Sequence, residues 1–172
     1  MQPFIIPLIG LKAGRSAYKW HADGEFFGDF ENTEILSADI DVEAKVEKSG
    51  RRIDVDCFIE GVVTVECDRC LSELEMPVNA VANLRVSFSE DSQEAAEEER
   101  EMILVQDTDS DLDLSQVVYD YVCLSLPVHR MHEEGECDPS VVKYLCREED
   151  GKEGNSPEQT PFAALGNLLA NK

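Results

Sequence analysis

Six cysteines and three histidines stand among the 172 residues of the chain, and four of these side chains are spaced to bind a metal. Cys67-Asp68-Arg69-Cys70 is a C-x-x-C half-site, in which a short turn brings both sulfurs to one side, within reach of a single tetrahedral ion. Downstream, His129, His132 and Cys137 lie close together. His132 and Cys137, with four residues between them, have loop spacing that suits the second half-site. Cys67, Cys70, His132 and Cys137 would then close a four-ligand zinc site. With no position left for water or substrate, such a site is structural, and it would clip a post-helix loop to a junction between strands.

Two other readings of the same residues stay open. The Cys67/Cys70 pair could serve thiol–disulfide exchange. Redox dithiols usually sit at a helix N-terminus, however, and this pair lies between two β-patterned segments, with Glu66, Asp68 and Glu73 opposing a thiolate and only Arg69 favouring it. The four residues could equally be reduced thiols and an imidazole without metal. Cys57, Cys123 and Cys146 read as small apolar side chains.

No other constellation carries chemistry. The chain has no Gly-rich phosphate loop, no G-x-S-x-G and no H-E-x-x-H, and its acidic pairs lack the apolar surroundings that raise a carboxyl pKa. His21, beside Trp20, reads as an ordinary strand neighbour. The expectation is a non-enzyme without a small-molecule substrate.

The elements that must position the cysteines show a period of two. Ala38, Ile40, Val42, Ala44 and Val46 alternate with polar residues, Lys48-Ser49-Gly50-Arg51 signals a turn, and Ile53, Val55, Cys57 and Ile59 resume the alternation. This predicts a β-hairpin with one buried face. Gly61 interrupts the run and reads as a bulge, after which Val63, Val65 and Cys67 keep the same parity. Every even position from Leu74 to Phe88 is apolar, which predicts a long strand, and Pro77 places it at an edge or near the strand's start. A short strand over Met102–Gln106 follows. Asp113 and Gln116 then form a D-x-x-Q capping box, with Leu112 and Val117 as its hydrophobic staple. Leu114, Val117, Val118, Tyr121 and Val122 recur at helical spacing up to Pro127, with Tyr119, Tyr121 and Cys123 as core or boundary residues. A further short helix is expected over Pro139–Cys146.

The fold class is therefore α+β: a mostly antiparallel twisted sheet or partly open barrel with one packed helix and a short C-terminal helix. Residues 1–146 form a single domain with an acidic loop at 90–101, 147–160 form a flexible tether, and 161–170 form the amphipathic helix. That last helix starts at Pro161 and carries Phe162, Leu165, Leu168 and Leu169 on one face, as a contact for the domain itself or a partner.

Charge narrows the partners. Against 15 Lys+Arg stand 37 Asp+Glu, a formal net charge of −22. Residues 1–89 carry 9 basic and 16 acidic side chains, residues 90–172 carry 6 and 21. Such a surface disfavours whole-face binding to nucleic acid or anionic lipid and suits a basic partner. Lys45, Lys48, Arg51 and Arg52 cluster around the first hairpin turn, where they form either a solubilising tip or a limited contact with phosphates or an acidic protein. Phe4–Leu11, broken by Pro7 and Gly10, is neither a membrane span nor a signal peptide, so the expected address is the cytoplasm, where thiols stay reduced.

From about Ile35 to its end the chain resembles the YceD-like family. The resemblance lies in the strand leading into Val65-Glu66-Cys67-Asp68-Arg69-Cys70-Leu71, the acidic linker, and the helix ending in Leu124-Ser125-Leu126-Pro127. A later Cys and the closing Pro161-Phe162-Ala163-Ala164-Leu165 complete it. His132 stands where many members have Cys, Cys137 matches the next Cys, only Cys146 remains beyond it, and Thr160 replaces an Asp or Asn before the proline. The resemblance implies a bacterial cytoplasmic factor that supports 23S ribosomal RNA accumulation and large-subunit assembly. The expected partner is a basic large-subunit ribosomal protein, with 23S rRNA or its precursor as the competing one. A thiol oxidoreductase, and a zinc-clipped adaptor with no ribosomal role, are the alternatives from other classes.

Overall fold

A computed structural model describes residues 4–88 and 100–145 of the chain. The chain divides after Cys137 into two units. The described residues of the first form seven strands and two helices: β1 (Ile5–Pro7), β2 (Gly14–Asp23), α1 (Gly24–Asp29), β3 (Ile35–Ser49), β4 (Arg52–Glu66), β5 (Glu73–Phe88), β6 (Glu101–Val105), β7 (Asp111–Asp113) and α2 (Ser115–Ser125). In the second unit the described element is α3 (Pro139–Leu145), at whose start Asp138 Oδ1 accepts the Ser140 N–H at 2.8 Å.

The alternating residues build an open five-stranded sheet of order β2-β3-β4-β5-β6. β2 to β5 run antiparallel, and β6 joins β5 in parallel over Leu84–Phe88. Strict alternation along β3, β4 and β5 puts Ile40, Val42, Ala44 and Val46, then Ile53, Val55, Cys57 and Ile59, then Val78, Ala82, Leu84 and Val86 on one buried face. β3 turns into β4 through Gly50 and Arg51, between paired Ser49 and Arg52. Gly50 sits at φ +65°, a region open to glycine at little cost. Pro77 lies in the part of β5 that β6 does not reach, so on that side the strand is locally an edge.

Against the buried face pack α1, α2 and the small β1–β7 pair. β1 and its flanks contribute Phe4, Ile6 and Leu8, so the apolar N-terminal stretch is core. α1 starts on Asp23, whose Oδ1 accepts the Phe26 N–H, and buries Phe26 and Phe27. Phe4 meets Phe26 edge-on at 4.9 Å, and Phe30 stacks on Tyr119 of α2 at 4.4 Å. α2 buries Val118 and Val122, with Leu114 just before it. Tyr119, Tyr121 and Cys123 lie half-buried at its boundary.

Two local expectations need correction. Gly61 is no bulge: the ladders to Ile40 and Val78 run through it without a break, and the irregularity lies between Ile35 and Ser37. Glycine is required there because a Cβ would fall 2.1 Å from the Asp39 carbonyl oxygen on β3. The capping box does not form either. Asp113 is held extended in β7, opposite Ile5, so the helix begins after Leu114. Asp113 Oδ1 instead accepts from the Ser115 N–H and hydroxyl at 2.8 and 2.6 Å, and Gln116 donates forward to Asp120.

No helix among the described residues is long and apolar enough to cross a membrane. The expected C-terminal helix with Phe162, Leu165, Leu168 and Leu169, the tether at 147–160, Cys146 and most of the acidic loop lie outside the described residues.

Candidate metal centre

β4 ends at Glu66 and β5 begins at Glu73, and the turn between them carries Cys67 and Cys70. The turn is closed by backbone bonds, Cys67 N–H to Ser72 O at 2.9 Å and Leu71 N–H to Cys67 O at 2.8 Å. Leu71 takes a left-handed φ of 60° to complete it. After α2 the chain returns to this turn. Arg130 and Asp68 clasp each other twice: the Asp68 N–H donates to Arg130 O, and the Arg130 N–H donates to Asp68 Oδ2, both at 2.7 Å. Arg130 also reaches Glu34 at 2.9 Å. These bonds deliver His132 and Cys137 to the two cysteines.

The ligand atoms of Cys67, Cys70, His132 and Cys137 all lie within 4.8 Å of one another. Cys67 and Cys137 sulfurs are 3.8 Å apart, and His132 Nδ1 is 3.5 Å from Cys70 Sγ and 3.9 Å from Cys137 Sγ. Ligands about 2.3 Å (S) and 2.0 Å (N) from a tetrahedral ion would stand roughly 3.5–3.8 Å apart. The cluster is therefore compatible with a metal site of three sulfurs and one nitrogen. His132 Nε2 faces the Glu73 carbonyl oxygen at 3.1 Å. Donation there fixes the tautomer and leaves the Nδ1 lone pair toward the sulfurs, the outer-shell arrangement of metal-bound histidines.

Electrostatics around the sulfurs favour thiolates in part. Burial pushes the Cys67 thiol up, but the N–H groups of Cys70, His132 and Arg69 and the His132 ring draw it below its ordinary value. Burial dominates at Cys137 and raises it, against a hydrogen bond from Arg69. The bonds to Cys67 and Cys70 hold the His132 imidazole above its ordinary value, against desolvation. Arg69 Nε donates to Cys137 Sγ at 2.9 Å, and its Nη2 donates to the carbonyl oxygens of His132 and Glu133 at 3.1 and 3.4 Å. The pattern of charges around the C-x-x-C marks Arg69 only as a neighbour of its own two cysteines. Its reach to the second half-site depends on the fold.

The other proposed contacts fare differently. His129 is exposed and outside the cluster. Each hairpin cation is engaged inside the protein. Lys48 Nζ donates to Leu11 O at 3.0 Å, and Lys45 Nζ sits 4.3 Å from the Phe58 ring centre. Arg51 pairs with Asp107 at 3.1 Å and lies over Phe88, and Arg52 pairs with Asp54 at 2.8 Å. Cys57 is buried in the sheet, where burial alone lifts its thiol to about 12.

An open sheet backed by helices, with Cys67, Cys70, His132 and Cys137 brought together where a returning loop meets a strand junction, defines an α+β protein with a cluster compatible with a metal site. The chain matches the model of the large ribosomal RNA subunit accumulation protein YceD over residues 55–169, which covers the C-x-x-C, His132 and Cys137, and it belongs to that family. No curated protein and no solved structure matches it.

Proposed function

We propose that this protein is a non-enzymatic assembly factor that holds a basic large-subunit ribosomal protein until it docks, and so supports accumulation of 23S rRNA. Family membership supports the large-subunit setting. The observation that favours a protein client over direct rRNA binding is the state of the hairpin cations. Lys45, Lys48, Arg51 and Arg52 all have partners within the chain, so a phosphate would have to compete for them, on a protein of net charge −22. The Cys67/Cys70/His132/Cys137 cluster takes zinc in this reading, as a structural clip.

The thiol oxidoreductase remains the second reading because Cys67 is drawn toward thiolate. Against it, Cys67 is 0% exposed and Cys70 5%, so a substrate disulfide cannot reach the pair without opening the turn.

The test is a depletion strain assayed for mature 23S rRNA and for subunits on a sucrose gradient, rescued with wild type or with Cys67→Ser/Cys70→Ser. A specific loss of large subunits that the double variant fails to rescue is expected. Normal rRNA and subunit profiles on depletion would overturn the ribosomal reading. Salt-sensitive rRNA binding lost in Lys48, Arg51 and Arg52 variants would make RNA the client instead.

A further inference from the structure

The sheet packs one face on the core and leaves the other uncovered among the described residues. Odd-numbered residues of β3 and β5 and even-numbered residues of β4 point to that open face, as the pleat dictates. Its two halves differ. Toward the β3–β4 turn every acid on these strands meets a cation: Glu47 with Arg15 at 3.4 Å, Glu43 with Lys19 at 3.6 Å, Asp54 with Arg85 at 2.8 Å, Asp56 with Arg100 at 2.7 Å. Toward the end that carries the cysteine turn, the matching stops. Asp41 lies directly opposite Glu60, Glu66 lies directly opposite Glu73, and Glu75 follows on the same face. All five are exposed. Among the described residues no Lys or Arg forms an ion pair with any of them, and only His21 reaches Asp41, at 3.2 Å.

Like charges directly across a ladder destabilise a sheet, so this half-face carries a cost that its neighbour avoids. Its centre is apolar: Val62 pairs with Pro77, and both are exposed. A groove of about 470 Å³ opens beside it, bordered by Asp41, Glu60, Lys45 and Phe58.

We infer that this half-face, with Asp41, Glu60, Glu66, Glu73 and Glu75 set around Val62 and Pro77, docks a Lys/Arg-rich polypeptide segment with apolar side chains between its cations. The inference rests on the basic-client reading above and gives the client its place on the fold. Charge selects this occupant. A second copy would set acid against acid, and so would a nucleic acid's phosphates. The chain's own residues 146–172 carry five acidic side chains against three basic ones. A basic segment instead relieves the repulsion between the paired carboxylates and covers the two apolar residues at once.

The experiment titrates the full chain, by calorimetry and carbodiimide labelling of carboxylates, with a short peptide alternating Lys and Val. Two variants are compared with wild type: a sheet variant (Asp41→Asn, Glu60→Gln, Glu66→Gln, Glu75→Gln) and a segment variant (Glu94→Gln, Glu97→Gln, Glu98→Gln, Glu99→Gln). Equal charge is removed from each. The expected result is saturable binding with peptide-dependent shielding of the Glu60, Glu66, Glu73 and Glu75 carboxylates, weakened by salt. Affinity should fall about tenfold or more in the sheet variant and little in the segment variant. The sheet variant should also melt higher than wild type, since it loses like-charge pairs. Glu60→Lys alone, which sets an ion pair opposite Asp41, should fold and also lose the peptide. Loss confined to the segment variant would overturn the sheet-face site and leave the basic-client reading standing. No binding by wild type at low salt would overturn both. Carboxylates of Glu60, Glu66, Glu73 and Glu75 already shielded from labelling before any peptide is added would show the face covered by the chain itself and overturn the proposal.

Discussion

His132 turns its Nε2 toward the carbonyl oxygen of Glu73, 3.1 Å away at the first residue of β5, and this contact aims Nδ1 at the sulfurs of Cys70 and Cys137. The first residue of the longest strand thereby sets the tautomer of an imidazole contributed some sixty residues later. A clip of this kind joins two segments that bury few large apolar side chains. Metal should accordingly stabilise them locally, while the valine- and isoleucine-rich face of the sheet holds on its own.

Purified protein should contain about one zinc per chain, and a chelator should lower its melting temperature. Hydrogen exchange should quicken at residues 67–72 and 128–137 and stay slow in β3 and β4. His132→Ala should lose the metal, and His132→Cys should keep it, because a thiolate can occupy the same corner of a tetrahedron. A chain free of zinc by elemental analysis, with melting indifferent to chelator, would sink the clip.

Arg69 supplies the second prediction. Its Nε–H reaches Cys137 Sγ while its Nη2 spans two carbonyl oxygens of the same loop, a fork that a lysine cannot reproduce. Arg69→Gln and Arg69→Lys should both still bind zinc, but about 10- to 100-fold more weakly in chelator competition. Unchanged competition in Arg69→Lys would mean that only the charge matters there.

How much of this could be read before the fold was known depends on the range of the forces involved. β3, β4 and β5 are legible because each is long and buried on one face, so its side chains repeat every second residue. The clustering of Cys67, Cys70, His132 and Cys137 is legible too, since a C-x-x-C and a downstream His and Cys have the residue types and spacing that would converge on one ion. β1 and β7, at three residues each, are too short to show a period, and α1 is a six-residue helix held by packing its own Phe26 and Phe27 against Phe4 and Tyr119. The parallel direction of β6 leaves no mark in five residues. Asp113 and Gln116 do spell a capping box. Pairing with Ile5 then outweighs it, because a tertiary ladder outcompetes a local cap. An isolated glycine inside a strand signals either a bulge or a close approach, and only the neighbouring strand decides which.

Gly61 makes that distinction testable. A Cβ there would meet backbone on β3, at 2.1 Å from Asp39 O and 2.7 Å from Ile40 Cα, and backbone in the middle of a ladder cannot swing aside. Gly61→Ala should cost about 2 kcal/mol or more in urea unfolding, despite the higher strand entropy of glycine. A change within about half a kcal/mol would show that β3 and β4 can separate at this point without loss.

Asp54 gives the pH prediction. Its two carboxylate oxygens accept from Arg85 Nε and Arg52 Nε, each at 2.8 Å, on the open face of β4. Burial pushes its pKa up, but the two guanidinium groups together bring it below the ordinary 3.8. A carboxyl depressed on folding contributes stability that is fully present above its unfolded pKa and is lost as pH falls through the folded one. Asp54→Asn should therefore cost about 1.5 kcal/mol at neutral pH, the lower end of the usual range for hydrogen bonds to a charged group, since Arg52 is half exposed. The gap between variant and wild type should hold constant down to about pH 4 and then close as the wild-type carboxylate takes its proton. Salt should narrow it only modestly, because Arg85 is 14% exposed and Asp54 18%. Urea titrations of both proteins across the acid range measure the difference directly. A gap that persists unchanged well below pH 3.8 would mean that packing of the side chain, and not its charge, is what Asp54 contributes.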